Sequence, residues 1–386
     1  MRQSKPWRLA SILSLSLVGG CSSLITGLIP HLQQTYPTQS AAGIEWLVTV
    51  ANLAALVTLL ANPWLTRRLG SRRVVCWGLL IAGGCGSLPL LPMAYSTLMM
   101  TRIGLGLGVG LFSPHALGLI AQVYHGELRA RLLGYQTGVS ALGNALLMAL
   151  AGLVVTLGWR RVFGLYLLLL PLAGLAAQVL PGPIRTEPNR PAAAKRATLP
   201  VSKWALCLLA LATYVLIWGV QLKLPVLLAE HQLDAAVANW TLAGMNLGGL
   251  LAGLTFGRLH ARLGPYLLAL GYLGAALSVW ALLAWQRPTG IIAAAIFFNW
   301  IYSHTGPYLV YRTNLGLAPD QIDLAASSLT IATIVSAFLA PPLWNSLSHL
   351  GLGALTINAL SWMAGALAVI ALGTLLTIIY PQRSKS

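Results

Sequence analysis

The sequence predicts an all-α polytopic membrane protein, with twelve transmembrane helices in two pseudo-symmetric six-helix bundles. Three observations carry that expectation. Of 386 residues, 57% are hydrophobic and 8% charged, against roughly 25% charged in a soluble domain. So few ionic groups cannot cover the surface of a soluble chain this long. Apolar runs of about 20 residues, enough to cross a bilayer core as a helix, recur along the whole chain. The basic residues also gather in alternate loops.

Each run is bounded by charge, Pro or Gly. The first span, 9–29, follows Arg2, Lys5 and Arg8 and stops at Pro30. Within it, Val18-Gly19-Gly20-Cys21 looks like a lipoprotein cleavage box. A signal peptide's apolar run is short, whereas this one continues through Leu24, Ile25, Leu28 and Ile29. An uncleaved helix with Cys21 retained and unlipidated is therefore expected. The second span, 44–62, ends before Pro63 and a basic loop, and the third, 74–94, follows that loop. The fourth, 97–122, contains Arg102; the fifth is 133–157, after Arg129 and Arg131; the sixth, 162–181, follows Arg160 and Arg161. Pro181 to Lys203 is the one long polar stretch, with five prolines and five basic residues. It divides the chain into an N-terminal bundle (1–183), a basic, Pro-rich cytoplasmic linker (184–203) and a C-terminal bundle (204–386). The second half repeats the plan with spans 204–228, 240–259, 265–285, 290–311, 325–347 and 351–379.

Orientation follows from charge, because Lys and Arg stay on the cytoplasmic side. With the N-terminus inside, 19 basic residues fall in cytoplasmic segments and four (Arg160, Arg161, Lys223, Arg287) outside. Both termini are expected in the cytoplasm, in the plasma membrane of a bacterium. The net charge of +17 does not point to nucleic acid, which needs basic residues on one wetted face. Cys21, Cys76, Cys85 and Cys207 lie in or beside apolar runs without metal-ligand spacing, so no metal or cofactor is expected. Neither a Walker-type phosphate loop nor a nucleophile–base motif occurs, and no enzyme chemistry is expected.

The halves echo each other. Leu65-Thr66-Arg67-Arg68-Leu69-Gly70 follows the second span, and Leu259-His260-Ala261-Arg262-Leu263-Gly264 follows the eighth, their glycines 194 residues apart. Such repeats mark transporters whose two bundles rock about a central site. The loop from Pro63 to Arg73 is similar to the signature loop of the major facilitator superfamily, matching at Leu65, Arg68, Gly70, Arg72 and Arg73. Arg67 stands where that signature has Asp, and Pro63 where it has Gly. Arg102-Ile-Gly-Leu-Gly106 and Gly158-Trp159-Arg160-Arg161-Val162-Phe163 also resemble family features. Over its whole length the chain resembles that family, most of all its compact bacterial drug-efflux members. One departure weakens the antiporter comparison: Asn144 stands in the fifth span where those members carry Pro.

The resemblance implies a cavity lined by helices one, four, seven and ten. Tyr214, Trp218 and Gln221 share one face of the seventh span, and Trp300, His304, Tyr308 and Tyr311 one face of the tenth, with Asn299 beside them. Tyr311, next to Arg312, is expected in the interfacial aromatic belt. Gln136, Ser140 and Asn144 share a face of the fifth. Arg102 is the basic residue deepest in a span; it either bonds neighbouring backbone carbonyls or attracts an anionic group, since a bare charge there is costly. The seven acids, Glu45, Glu127, Glu187, Glu230, Asp234, Asp320 and Asp323, all fall in loops or at helix ends. Candidates for proton coupling are therefore Glu45, at the outer mouth of the second span, and His115 and His304, whose imidazoles titrate near neutrality. The loop group Arg67, Arg68, Gly70, Arg72 and Arg73, with Arg262 and Gly264 in the repeat, is expected to gate. In the family the loop's acid faces the start of the eleventh helix; here the loop is basic and Asp320 and Asp323 open that span, so the resemblance implies either a latch of reversed polarity with Arg67 or Arg68, or ordinary capping of the helix by the two acids.

These readings imply a monomeric secondary transporter of small molecules working by alternating access, exporting amphipathic organic compounds, with protons as a candidate second partner. Two alternatives stay open: an uptake permease for a small organic anion, and a non-transporting membrane sensor or assembly factor.

Overall fold

The computed structural model describes residues 14–123, 126–179, 198–285 and 287–379, with side chains for all of these except 116–123, 126–135, 137, 179, 319, 320 and 323. Among the described residues every regular element is a helix. The chain forms two compact units, Met1–Arg190 and Pro191–Ser386. Nine described segments are long and apolar enough to cross a membrane.

In the first unit the segment Ser14–Thr35 passes through 3-10 turns at Cys21–Ser23 and Thr26–Leu28 into α1 (Ile29–Thr35). There follow α2 (Ala41–Leu69), α3 (Ser71–Ser87), α4 (Tyr95–Val123) and α5 (Gly126–Val154). A 3-10 stretch, Trp159–Leu168, then leads into α6 (Leu169–Val179). The second unit holds α7 (Val201–Glu230), α8 (Ala235–Leu263), α9 (Tyr266–Ala284), α10 (Pro288–Tyr302), α11 (Thr305–Asn314), α12 (Pro319–Ser348) and α13 (Leu355–Ile379). The linker expected at 184–203 lies outside the described residues up to 197, and Val201–Lys203 already belong to α7.

Two spans read as continuous helices are broken. The first runs on to Thr35 and loses regular α geometry at Gly19-Gly20, a residue pair that weakens a helix interior. A Cβ on Gly20 would come within 1.9 Å of Asn144 Oδ1, so α5 closes directly on the break. The tenth span divides into α10 and α11 around Ser303-His304. Pro307 explains the second break, since its ring clashes with the carbonyl four residues back, that of Ser303, and it lacks an N–H.

Close approach of backbones sets the packing. Gly106 and Gly110, one turn apart on α4, face the Ala51 and Ala55 carbonyls of α2, where a Cβ would sit 2.2 Å from each oxygen. Small residues at this spacing let membrane helices meet along their backbones. Arg102 lies one turn earlier on the same face. The repeat also has a backbone signature: Gly70 and Gly264 both adopt positive φ, +82° and +51°, a region other residues enter at a cost of about 1–2 kcal/mol. Gly70→Ala and Gly264→Ala should each lower unfolding free energy in detergent by about 1 kcal/mol. An unchanged thermal midpoint for both would show that the loops relax without the left-handed turn.

Candidate functional site

In the first unit the fully buried Arg102 organises the broken first span. Its Nε donates to the Leu47 carbonyl (2.7 Å), Nη1 to Tyr166 Oη (2.8 Å), and Nη2 to the Ser22 carbonyl. Tyr166 Oη in turn donates to the Cys21 carbonyl (3.0 Å). The turn there closes on 3-10 bonds (Leu24 N to Cys21 O, 3.2 Å), so side chains, rather than a regular α ladder, complete the polar bonding. Arg102 thus ties the first span, α2 and the stretch before α6 together. Cys21 is buried at the centre of this network. Gln136 is half-buried on α5, Ser140 lies beside Gly19, and Asn144 lies against Gly20 with its Oδ1 buried and without a hydrogen bond among the described residues.

Each unit contains the same two-residue bridge: between α2 and α4 in the first, and between α8 and the α10–α11 break in the second. Thr66 Oγ1 of α2 meets His115 Nε2 of α4 at 3.2 Å, and Thr255 Oγ1 of α8 meets His304 Nε2 at 3.1 Å. In both pairs the partners are 49 residues apart. Relative to the Gly70/Gly264 register, the second pair sits five residues earlier, roughly 7.5 Å along the helices. The first is extended by Asn62, which accepts from Thr66 (2.9 Å) and donates to the Gly110 and Leu111 carbonyls (3.0 and 2.8 Å). Thr66, Asn62 and Thr255 were not singled out from sequence; polar residues at 49-residue separation from each histidine were the available signal.

The second unit contains a cavity of about 550 Å³ between α7 and the α10–α11 break, lined among others by Thr213, Tyr214, Tyr302, Gly306 and Tyr311. Tyr302 and Thr213 of its wall join a buried tyrosine cluster behind it: Tyr302 Oη donates to the Thr213 carbonyl, Thr213 Oγ1 and Tyr272 Oη lie 2.6 Å apart, and the rings of Tyr272 and Tyr302 meet edge-on at 6.2 Å. The break divides the stripe read on the tenth span. Tyr302 and Tyr311 face the cavity, whereas Trp300 stacks edge-on against His304 (5.5 Å) and packs over Gly248 of α8. Asn299 donates to the Met245 carbonyl of α8. Tyr308 borders a separate pocket with Arg312 and touches His260, which also meets Tyr311 at 4.9 Å. Tyr311, expected in the aromatic belt, lines this cavity while remaining exposed. Trp218 and Gln221 are half-buried on α7 outside the wall of this cavity.

Lys223, counted among the outer basic residues from sequence, is buried towards the C-terminal end of α7, its Nζ donating to Asn345 Oδ1 of α12 at 2.8 Å. Glu45 is likewise buried, near the start of α2. The side chains of Asp320 and Asp323 lie outside the described residues. Among the described residues no three His, Cys, Asp or Glu side chains gather as metal ligands would.

Residues 11–303 match the model of the Major Facilitator Superfamily. The chain belongs to that family. Among relatives of this superfamily member, the drug efflux pump JefA of Mycobacterium tuberculosis is 26% identical over 187 residues, 46% of this chain and 37% of JefA. The methylenomycin A resistance protein of Bacillus subtilis is 30% identical over 128 residues, 33% of this chain and 28% of that protein. The matched stretches are thus well under half of each relative. In three dimensions the chain is similar to a D-xylose–proton symporter, with a TM-score of 0.73 at 15% identity over 95% of this chain and 96% of the other. That similarity confirms the all-helical superfamily fold.

Proposed function

We propose that this protein is a secondary active transporter that exports amphipathic organic compounds by alternating access, from the plasma membrane of a bacterium with both termini in the cytoplasm. The tyrosine-lined cavity at the broken tenth span carries the reading. Discontinuous membrane helices border substrate sites in transporters. Tyrosine rings offer apolar and cation-attracting faces together with polar edges, which suits amphipathic and cationic molecules. The drug-efflux and resistance relatives support the same direction. The test is movement of the fluorescent cation ethidium in vesicles containing the purified protein. Outward pumping under an imposed pH gradient is expected; ethidium that stays put with and without a gradient would defeat the reading.

Proton coupling is assigned to the two Thr–His bridges, because imidazole exchanges protons near neutrality and each histidine joins two helices of one bundle. His304→Gln keeps a hydrogen-bonding group but not a titratable one. It should lower gradient-driven transport at least about tenfold, 1.4 kcal/mol, while substrate exchange without a gradient continues. Equal loss of both would make His304 a packing residue, and unchanged pumping would remove it from coupling.

A further inference from the structure

The basic loop between α2 and α3 does more than punctuate two helices. Arg67, Arg68, Arg72 and Arg73 open onto one pocket of about 570 Å³, whose remaining wall is built by Trp77 and Leu80 of α3 and Ala177 of α6, among others. The four guanidinium groups belong to exposed residues. Arg68 lies over the Trp64 ring at 4.5 Å. The N-terminus of α3, at Ser71 and without a side-chain cap, also opens at this end, adding the partial positive charge of unpaired N–H groups. In this unit the one carboxylate with a described side chain, Glu45, lies 22 residues earlier on α2, roughly 33 Å along the helix. Among the described residues of this unit the pocket is therefore strongly positive, with no acid beside it.

Its other half is apolar and faces outward. Trp77 is 59% exposed and Leu80 43% exposed, on a helix long and apolar enough to cross a membrane. Trp64, 55% exposed, stands at the same end. Exposed tryptophans at a helix end mark the level of lipid headgroups, and basic pockets between helices on the cytoplasmic side fit anionic headgroups. The charge bias of the loops puts this end in the cytoplasmic leaflet.

We propose that this pocket binds the phosphodiester headgroup of an anionic phospholipid, with an acyl chain lying along Trp77, Leu80 and Ala177. The guanidinium fork suits this ligand, since it meets two phosphate oxygens at once. The apolar wall selects a lipid over a free anion: soluble phosphate has nothing to place against Trp77 and Leu80. The site lies in the first unit alone and stands whether or not the export reading holds.

The test is native mass spectrometry of the full-length protein in detergent, titrated with phosphatidylglycerol or with phosphatidylcholine of the same chains. The parent should retain one phosphatidylglycerol with at least about fivefold preference. Arg72→Gln with Arg73→Gln should remove that preference, while Arg258→Gln with Arg262→Gln, in the corresponding loop of the other half, should keep it. Trp77→Ser, at a position 59% exposed, should weaken retention of phosphatidylglycerol, and millimolar inorganic phosphate should not displace the lipid. Equal retention of the two lipids by the parent overturns the proposal without recourse to any variant. So does a double Arg72/Arg73 variant that binds like the parent. Displacement by inorganic phosphate together with an indifferent Trp77→Ser variant would identify a soluble-anion site and overturn it equally.

Discussion

Arg102→Met should cost about 3 kcal/mol or more of stability in detergent, the largest effect expected of any single substitution here. An ordinary hydrogen bond between membrane helices averages only about 0.6 kcal/mol, and on that scale three of them would total under 2. Arg102 exceeds it because its bonds are charge-assisted, worth about 1.5–3 kcal/mol each, and because it serves the broken stretch of the first span. Removing the charge also removes its burial cost, which limits the net loss. Arg102→Lys keeps the charge but not the planar fork that reaches the Leu47 carbonyl, Tyr166 and the Ser22 carbonyl together; it should fall between parent and Met variant. Tyr166→Phe, which leaves the Cys21 carbonyl without its phenol donor, should cost about 1 kcal/mol. Thermal unfolding followed by size-exclusion chromatography reads the series. A Met variant as stable as the parent would free Arg102 for a role toward substrate.

Gly306→Leu should reduce transport at least about tenfold, equivalent to 1.4 kcal/mol, with folding preserved. A Cβ built on Gly306 would have Tyr214 Oη as its one neighbour within 4 Å, at 3.6 Å, an ordinary contact. A larger side chain therefore enters the cavity rather than a packed helix. Gly306→Ala should transport nearly as the parent does, so the pair separates loss of space from loss of glycine. Both variants are read in the same ethidium assay, with expression and elution profile as folding controls. A fully active Leu variant would place the substrate elsewhere, Trp218 and Gln221 on α7 being the next candidates.

The superfamily fold and the internal repeat were legible before any coordinates. Hydropathy reports transfer into the bilayer, a property each 20-residue run has on its own, so the broad helix plan follows from local composition. The Gly70 and Gly264 loops were legible for the same reason, since a glycine at a helix end meets a local conformational need. The site was only partly legible. Tyr214 was found, but Tyr302 and Thr213 were passed over, because a continuous tenth helix would have set Trp300 and His304 on the same face as Tyr311. Gly306-Pro307 was the signal for the break.

What the sequence alone determined is the class of molecule, its near-regular succession of apolar helices and its basic, acid-poor loops. Only the tertiary structure decided which of its polar residues are already committed. Arg102 and Asn299 are bonded to neighbouring backbone, His115 and His304 to threonines 49 residues away, and Lys223 to Asn345. Helical periodicity says which side of its own helix a residue occupies. Whether that side meets a cavity, a carbonyl or lipid depends on the neighbouring helix, set by backbone approach at Gly106 and Gly110 and by the breaks at Gly20 and Ser303, which act between segments far apart in the chain.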